Sequence, residues 1–279
     1  MSMEYKVAAS VEEALELLAG PGHRRAVGGG TDLAVVIADG VIAPDALVDV
    51  AALPGLRDVR KTAEGISIGA AVRISEVAGS ADLPACLRQG ASAIGSPQIR
   101  NLATIGGNVC NASPCGDTLA PLVALDAAFV LRSAKGARTV AAAQFFQGPK
   151  KTVLLPGEIL VEIRIPGRLL AGASAFRFIG KRNGQAISQV NAAAWVLVEK
   201  GAVREARIAV GSVAPVPLRL PKAEALLAGR AVKGIDLEPV LAAADGEIAP
   251  ISDVRASLDY RRLATASLLR DALAEALGS

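Results

Sequence analysis

Hydrophobic and polar positions change their period several times along the chain, and each change marks a predicted element. Ser10-Val-Glu-Glu13 followed by Leu15, Leu17 and Leu18 predicts a helix opened by a capping box and stopped at Gly20-Pro21. RRAV at 24–27 predicts a short strand entering Gly28, Gly29 and Gly30, with Thr31 placed to cap a helix that begins at Asp32 and runs through LAVVIADG. A strand is expected within 41–50. GISIG at 65–69 alternates as a strand and passes into a helix reaching about Gly79, and ADLPACLRQGASAIG at 81–95 predicts a helix ending at Gly95-Ser96-Pro97.

The second half has more strand character. DAAFVLRSAKGARTV predicts strands turning at Lys135-Gly136. In ILVEIRI the alternation places Ile159, Val161, Ile163 and Ile165 on one face, and Leu160, Glu162 and Arg164 on the other. A break follows at Pro166-Gly167-Arg168. Strands at 189–199 and 203–213 flank a Gly201 turn, and PKAEALLAG and DLEPVLAAADGEI predict short helices. Behind a Ser257 cap, Leu263, Ala266, Leu269, Leu273 and Leu277 recur at helical spacing. The order predicts an α+β chain divided into 1–168 (subdomains about 1–57 and 58–168) and 169–279.

Composition narrows the picture. At 279 residues the chain exceeds a usual single core, and 52% hydrophobic with only 3% aromatic residues implies aliphatic packing. A net charge of +3 without a basic stripe gives no reason to expect nucleic acid. No apolar run approaches the ~18 residues of a membrane span. LAVVIA at 33–38 and AAAWVLV at 192–198 are expected in the core. The start, MSMEYK, lacks a secretory apolar region, so a cytoplasmic protein is expected. Three cysteines (Cys86, Cys110, Cys115) and one histidine (His23) complete no metal-ligand set and no Ser–His–Asp triad. No catalytic residue is assigned, and the chemistry is expected from an organic cofactor.

Two glycine loops are the candidates to hold it: AVGGGTDL at 26–33 and GSPQIRNLATIGGNVCNASPCGDT at 95–118. The amides of Gly28, Gly29 and Gly30 have no Cβ in front of them, and the helix start behind them adds positive partial charge, as a phosphate requires. A tight strand-to-helix turn is the alternative. Gly106-Gly107 repeats the pattern, with Thr104 and Asn108 as hydrogen-bonding side chains. Asp117 is placed to accept from ribose or ribityl hydroxyls or to cap the helix that follows, and both roles stand. The G-x-G-x-x-G fingerprint fails at Leu33, and GPKKT at 148–152 lacks P-loop spacing.

GGGTDL, followed by GSPQIRNLATIGGNVCNASPCGDT and, near the end, DVRASLDYRR, resembles the FAD-binding (medium, M) subunit of the xanthine dehydrogenase and molybdenum hydroxylase family. The resemblance spans essentially the whole chain. It implies a flavoprotein: a two-subdomain FAD-binding domain of the vanillyl-alcohol-oxidase (PCMH) type, then a small α+β C-terminal domain like that of CO dehydrogenase flavoproteins. It places Val27, Gly28, Gly29, Gly30, Thr31, Asp32 and Leu33 on the FAD diphosphate with Thr104, Ile105, Gly106, Gly107 and Asn108. Asp117 would hold a sugar hydroxyl, Leu160 would pack near the cofactor, and Lys181 would lie by the flavin, with surface solvation as its alternative role. Gly95 is carried over as well. Ser188 stands where the family often has an acidic residue and receives no role.

The same resemblance implies electron transfer. A large molybdopterin-binding subunit oxidises the substrate, a small subunit relays electrons through [2Fe–2S] clusters, and FAD on this chain passes them to an acceptor left open. Molybdopterin and [2Fe–2S] are then the partners' cofactors. Two departures concern substrate: Thr31-Asp32 replaces the histidine-serine of members acting on carbon monoxide, and the cysteine-bearing insertion of hydroxybenzoyl-CoA reductases is missing. Cys110 and Cys115 are expected to pack as small residues. A stand-alone FAD-dependent oxidoreductase of the same fold and a non-catalytic FAD-binding assembly protein are the alternatives.

Overall fold

The structure, a computed structural model, describes residues 3–182 and 184–278. The chain opens with β1 (Glu4–Val7), α1 (Val11–Leu18), β2 (Arg24–Val27), α2 (Leu33–Ala38) and β3 (Ala46–Asp49). Next come β4 (Val59–Thr62), β5 (Gly65–Gly69), α3 (Ile74–Gly79), α4 (Ala85–Ala93), α5 (Pro97–Leu102), α6 (Ile105–Asn111) and α7 (Leu119–Ala124). β6 (Ala128–Ser133), β7 (Gly136–Ala141), α8 (Ala142–Phe145), β8 (Phe146–Gly148), β9 (Lys151–Thr152) and β10 (Ile159–Pro166) follow. The last part holds β11 (Ala173–Ile179), β12 (Val190–Glu199), β13 (Ala202–Gly211), β14 (Leu218–Arg219), α9 (Pro221–Ala225), α10 (Glu238–Asp245) and α11 (Leu258–Leu277).

The first three strands form a parallel sheet ordered β1-β3-β2, with Ala46, Leu47 and Val48 of the central strand buried. α1 packs beside it through Ala14 and Leu15. Its cap is close to the predicted one: Ser10 Oγ accepts from Glu13 N at 3.1 Å, while Glu13 turns back to Ala9 N at 2.7 Å instead of to the cap residue. The second sheet is antiparallel and ordered β4-β5-β10-β6-β7. The third is antiparallel and ordered β11-β12-β13-β14, covered by α11 on β11 and β12. The β12–β13 hairpin turns on Lys200 (φ 52°) and Gly201 (φ 77°), the paired positive φ of a type I′ turn.

Three expectations change. The register of β10 against β6 shifts between Leu160 and Glu162, so one residue is bulged and the side-chain parity inverts. Ile159 and Val161 therefore pack with Val48 of β3 and with Leu53 and Leu56 of the connection to β4, whereas Leu160, Ile163 and Ile165 share the central core. The four isoleucine and valine side chains do not line one face. Second, α2 carries the apolar run LAVVIA yet buries none of its residues, so it is not a core segment. Third, Leu263 is 73% exposed, because α11 turns Ala264, Leu268, Leu269, Ala272 and Leu273 inward. AAAWVLV behaves as expected through Val196. Its alternate residues divide between two cores: Ala193 and Trp195 face the central one, while Ala192, Ala194 and Val196 face α11. Among the described residues no helix is long and apolar enough to cross a membrane.

Candidate functional site

Both glycine loops follow short secondary structures that end side by side, and their backbones touch. A Cβ on Gly29 would lie 1.8 Å from the Leu102 carbonyl oxygen, and one on Gly28 would lie 2.7 Å from Thr104 Oγ1. Glycine at 28 and 29 is therefore required by contact between the loops, and Gly30 adopts φ +68°. Gly106 has the same kind of reason, since its Cβ would meet Ala70 at 2.6 Å.

The loops differ in the donors they leave open. Among the described residues, the backbone N–H groups from Gly28 to Leu33 donate to no protein acceptor. In the second loop every early amide is occupied. Ile105 N donates to Val72 O at 2.9 Å, Gly106 N to Ala70 O at 2.8 Å and Gly107 N to Thr104 Oγ1 at 3.1 Å. Thr104 thus caps α6, and the second loop offers a hydroxyl and a close-fitting surface in place of a set of free amides. The predicted Thr31 cap is not formed: α2 begins at Leu33, and Asp32 at the cap position makes no capping bond. Asp32 instead reaches across the site, accepting from Asn111 Nδ2 at 3.1 Å and Lys150 Nζ at 3.3 Å.

A cavity of about 500 Å³ opens where the loops meet. Gly28, Thr104, Gly106 and Gly107 line it together with the side chains of Arg25, Lys150 and Glu158. Val50, Leu56, Ala71, Leu154, Leu155 and Leu160 supply its apolar lining. Lys150 sits at φ 60°, and its ammonium donates to Asn111 Oδ1 at 2.6 Å. This lysine comes from the GPKKT segment, whose local pattern matches no phosphate motif; only the fold brings it to the glycines. Cys110 lines the same wall, and burial pushes its thiol up to about 12 against the opposing charge of Arg25. A thiol held this way is a packing group, not a nucleophile. Val27 and Ile105 are buried behind the loops, and Asn108 accepts from Thr118 Oγ1 at 2.6 Å.

Asp117 is not the helix cap, which falls to Thr118. It is 6% exposed, and its Oδ1 accepts from Ser188 Oγ at 2.6 Å and Asn191 Nδ2 at 3.1 Å. Oδ2 takes no hydrogen bond among the described residues. Burial pushes the carboxyl up to about 6, with the two donors acting in the opposite sense. Ser188, given no role on sequence, thus joins the segment before α7 to the approach of β12, where Asn191 makes the second bond. Nothing local signals a partner 71 residues away.

A second hollow, about 890 Å³, lies at the opposite end of α5 from Thr104. Gly95 and Ser96 line it together with Arg100, Phe176, Phe178 and Arg182. Lys181 does not: its exposed ammonium donates to Val254 O at 2.9 Å, outside the hollow. The site residues expected from sequence therefore divide between two chambers, with Gly28, Thr104, Gly106, Gly107 and Leu160 in one and Gly95 in the other.

Two family models match the chain. The FAD binding domain in molybdopterin dehydrogenase covers residues 1–168, and the CO dehydrogenase flavoprotein C-terminal domain covers residues 174–276. The 6-hydroxypseudooxynicotine dehydrogenase complex subunit alpha of Paenarthrobacter nicotinovorans is 32% identical over 281 residues, covering 99% of this chain and 95% of that protein. The carbon monoxide dehydrogenase medium chain of Hydrogenophaga pseudoflava is 33% identical over 280 residues, covering 97% and 95%. Among solved structures, a chain of a Cu,Mo-CO dehydrogenase in its cyanide-inactivated form superposes with a TM-score of 0.93 at 32% identity, covering 100% of this chain and 98% of that one.

Proposed function

The chain belongs to the family of FAD-binding medium subunits of molybdenum hydroxylases, and we propose that it serves as the electron outlet of such a complex. Electrons arrive from [2Fe–2S] clusters on a small partner subunit, after substrate oxidation on a large molybdopterin-binding subunit, and leave to an external acceptor. The observation that carries the FAD assignment is the row of amides from Gly28 to Leu33 without a protein acceptor, in a loop packed against the second glycine loop. A helix start leaves such donors to water or a ligand, and a diphosphate would satisfy them.

The chamber fits the rest of the cofactor in the same terms. Arg25 and Lys150 supply positive charge in the chamber that Gly28 lines, and its apolar lining, Leu160 included, suits a flat purine. Asp117, which lines neither cavity, keeps Oδ2 without a protein donor, available to a sugar hydroxyl, while Ser188 and Asn191 fix Oδ1. From Thr104, α5, six residues long and so about 9 Å, leads back to the hollow at Gly95, which is where the flavin end is placed in this reading. Bound FAD supplies a ring that takes up two electrons and a proton and returns them. The division into an FAD-binding part (1–168) and a C-terminal domain (169–279) belongs to the same proposal.

Purified protein is expected to carry stoichiometric FAD and to copurify with both partner subunits when the three are expressed together. A chain that stays colourless when mixed with FAD contradicts the assignment. Turnover of a small substrate by the isolated chain would favour a stand-alone oxidoreductase.

A further inference from the structure

We propose that Arg182, and not its neighbour Lys181, is the cation of the C-terminal part that faces the flavin ring, and that with Arg88 and Arg100 it sets the ring's reduction potential. The inference rests on the FAD reading above. It begins from the hollow at Gly95, whose wall carries four arginines (Arg88, Arg100, Arg177, Arg182) and no carboxylate among the described residues.

Among the described residues one of the four is neutralised nearby: Arg177 pairs with Glu275. Arg100 Nη1 donates to the carbonyls of Ile94 at 2.9 Å and Gly95 at 3.3 Å, which holds its guanidinium against the start of α5. Arg182 donates through Nε and Nη2 to Gln185 O, at 3.2 and 2.8 Å, so Nη1 is left open. Arg88 Nε is buried without a partner. Three guanidinium groups whose hydrogen bonds go to carbonyls or to nothing leave their charge unneutralised around one space.

Phe178, 37% exposed, contributes an aromatic ring to the same wall and stacks with the buried Phe176, centroids 6.2 Å apart at 23°. An aromatic ring flanked by positive charge suits a planar ring that gains negative charge, as a flavin does on reduction. Positive groups fixed before reduction stabilise that charge without reorganising. Lys181 lacks this geometry. Its ammonium is held on Val254 O in the segment before α11, so it contributes only at a distance.

The test uses the FAD-loaded protein and reads the flavin midpoint potential by spectroelectrochemistry, with FAD content measured in parallel. Arg182→Gln is expected to make reduction about tenfold less favourable, lowering the potential by about 30 mV for a two-electron couple. Lys181→Gln is expected to leave the potential unchanged, and Arg182→Lys to recover part of the loss. Loss of FAD from Arg182→Gln while Lys181→Gln stays loaded also supports the placement. An Arg182→Gln potential equal to wild type, or an equal shift from Lys181→Gln, overturns it. A wild-type protein without FAD instead contradicts the functional reading, independently of either arginine.

Discussion

Replacing Asp117 with Asn tests the seam between the cofactor loop and the third sheet. Asp117 titrates at about 6 in the fold, against about 3.9 in an unfolded chain. Below about pH 4 both states carry the proton, and the residue has no effect on the pH dependence. Between the two values the folded state keeps the proton and the unfolded state has lost it, so stability falls as pH rises. Above about 6 the loss is complete, and a shift of about two units amounts to roughly 3 kcal/mol. Asparagine cannot ionise and keeps an acceptor for Ser188 and Asn191. Thermal unfolding of FAD-free wild type and Asp117→Asn, followed by circular dichroism at about pH 4 and about pH 7, isolates the effect because other titrating groups cancel. At roughly 2–4 °C per kcal/mol, wild type should lose roughly 6–12 °C more than the variant on going to the higher pH. Parallel profiles for the two proteins would refute the buried, proton-holding Asp117. If Oδ2 also receives a sugar hydroxyl, FAD binding to wild type tightens as pH rises through 6, and the variant shows no such slope.

Gly29→Ala places a Cβ 1.8 Å from the Leu102 carbonyl, so the loops must part. A cost of about 1–3 kcal/mol in melting stability and loss of bound FAD are expected. Gly79→Ala, where a Cβ meets nothing within 4 Å at the end of α3, serves as the control and should leave FAD content unchanged. Lys150→Met removes a half-exposed ion pair with Asp32, so the melting temperature of the FAD-free protein should barely move. FAD affinity measured by fluorescence titration should fall roughly tenfold at low salt, and the difference should shrink as salt is raised.

Much of the architecture was legible because its signals are local. The helix caps at Ser10 and Ser257 read correctly from one turn of sequence, as did the Gly201 hairpin. What failed was the part set by distant contacts. The bulge at Leu160–Glu162 depends on pairing with β6, so alternation along β10 alone misassigns Ile163 and Ile165. LAVVIA has the composition of a core helix, yet α2 buries none of its residues, which its composition does not reveal. At the site, the glycines were legible and their reasons were only partly so. Gly29 and Gly106 are small because backbone packs on them, and of the two glycine turns only the first leaves its amides from Gly28 to Leu33 without a protein acceptor among the described residues, those of Ile105, Gly106 and Gly107 being occupied. Lys150, Ser188 and Arg182 reach the site through tertiary structure. No local spacing relates them to the glycine loops.

If electrons leave a partner's iron–sulfur clusters through a flavin held by these two loops, mixing the FAD-loaded chain anaerobically with its reduced iron–sulfur subunit bleaches the flavin absorbance band. Matching reoxidation of the clusters is expected, and Gly29→Ala should abolish both. A flavin band unchanged beside fully reduced clusters would rule out this route.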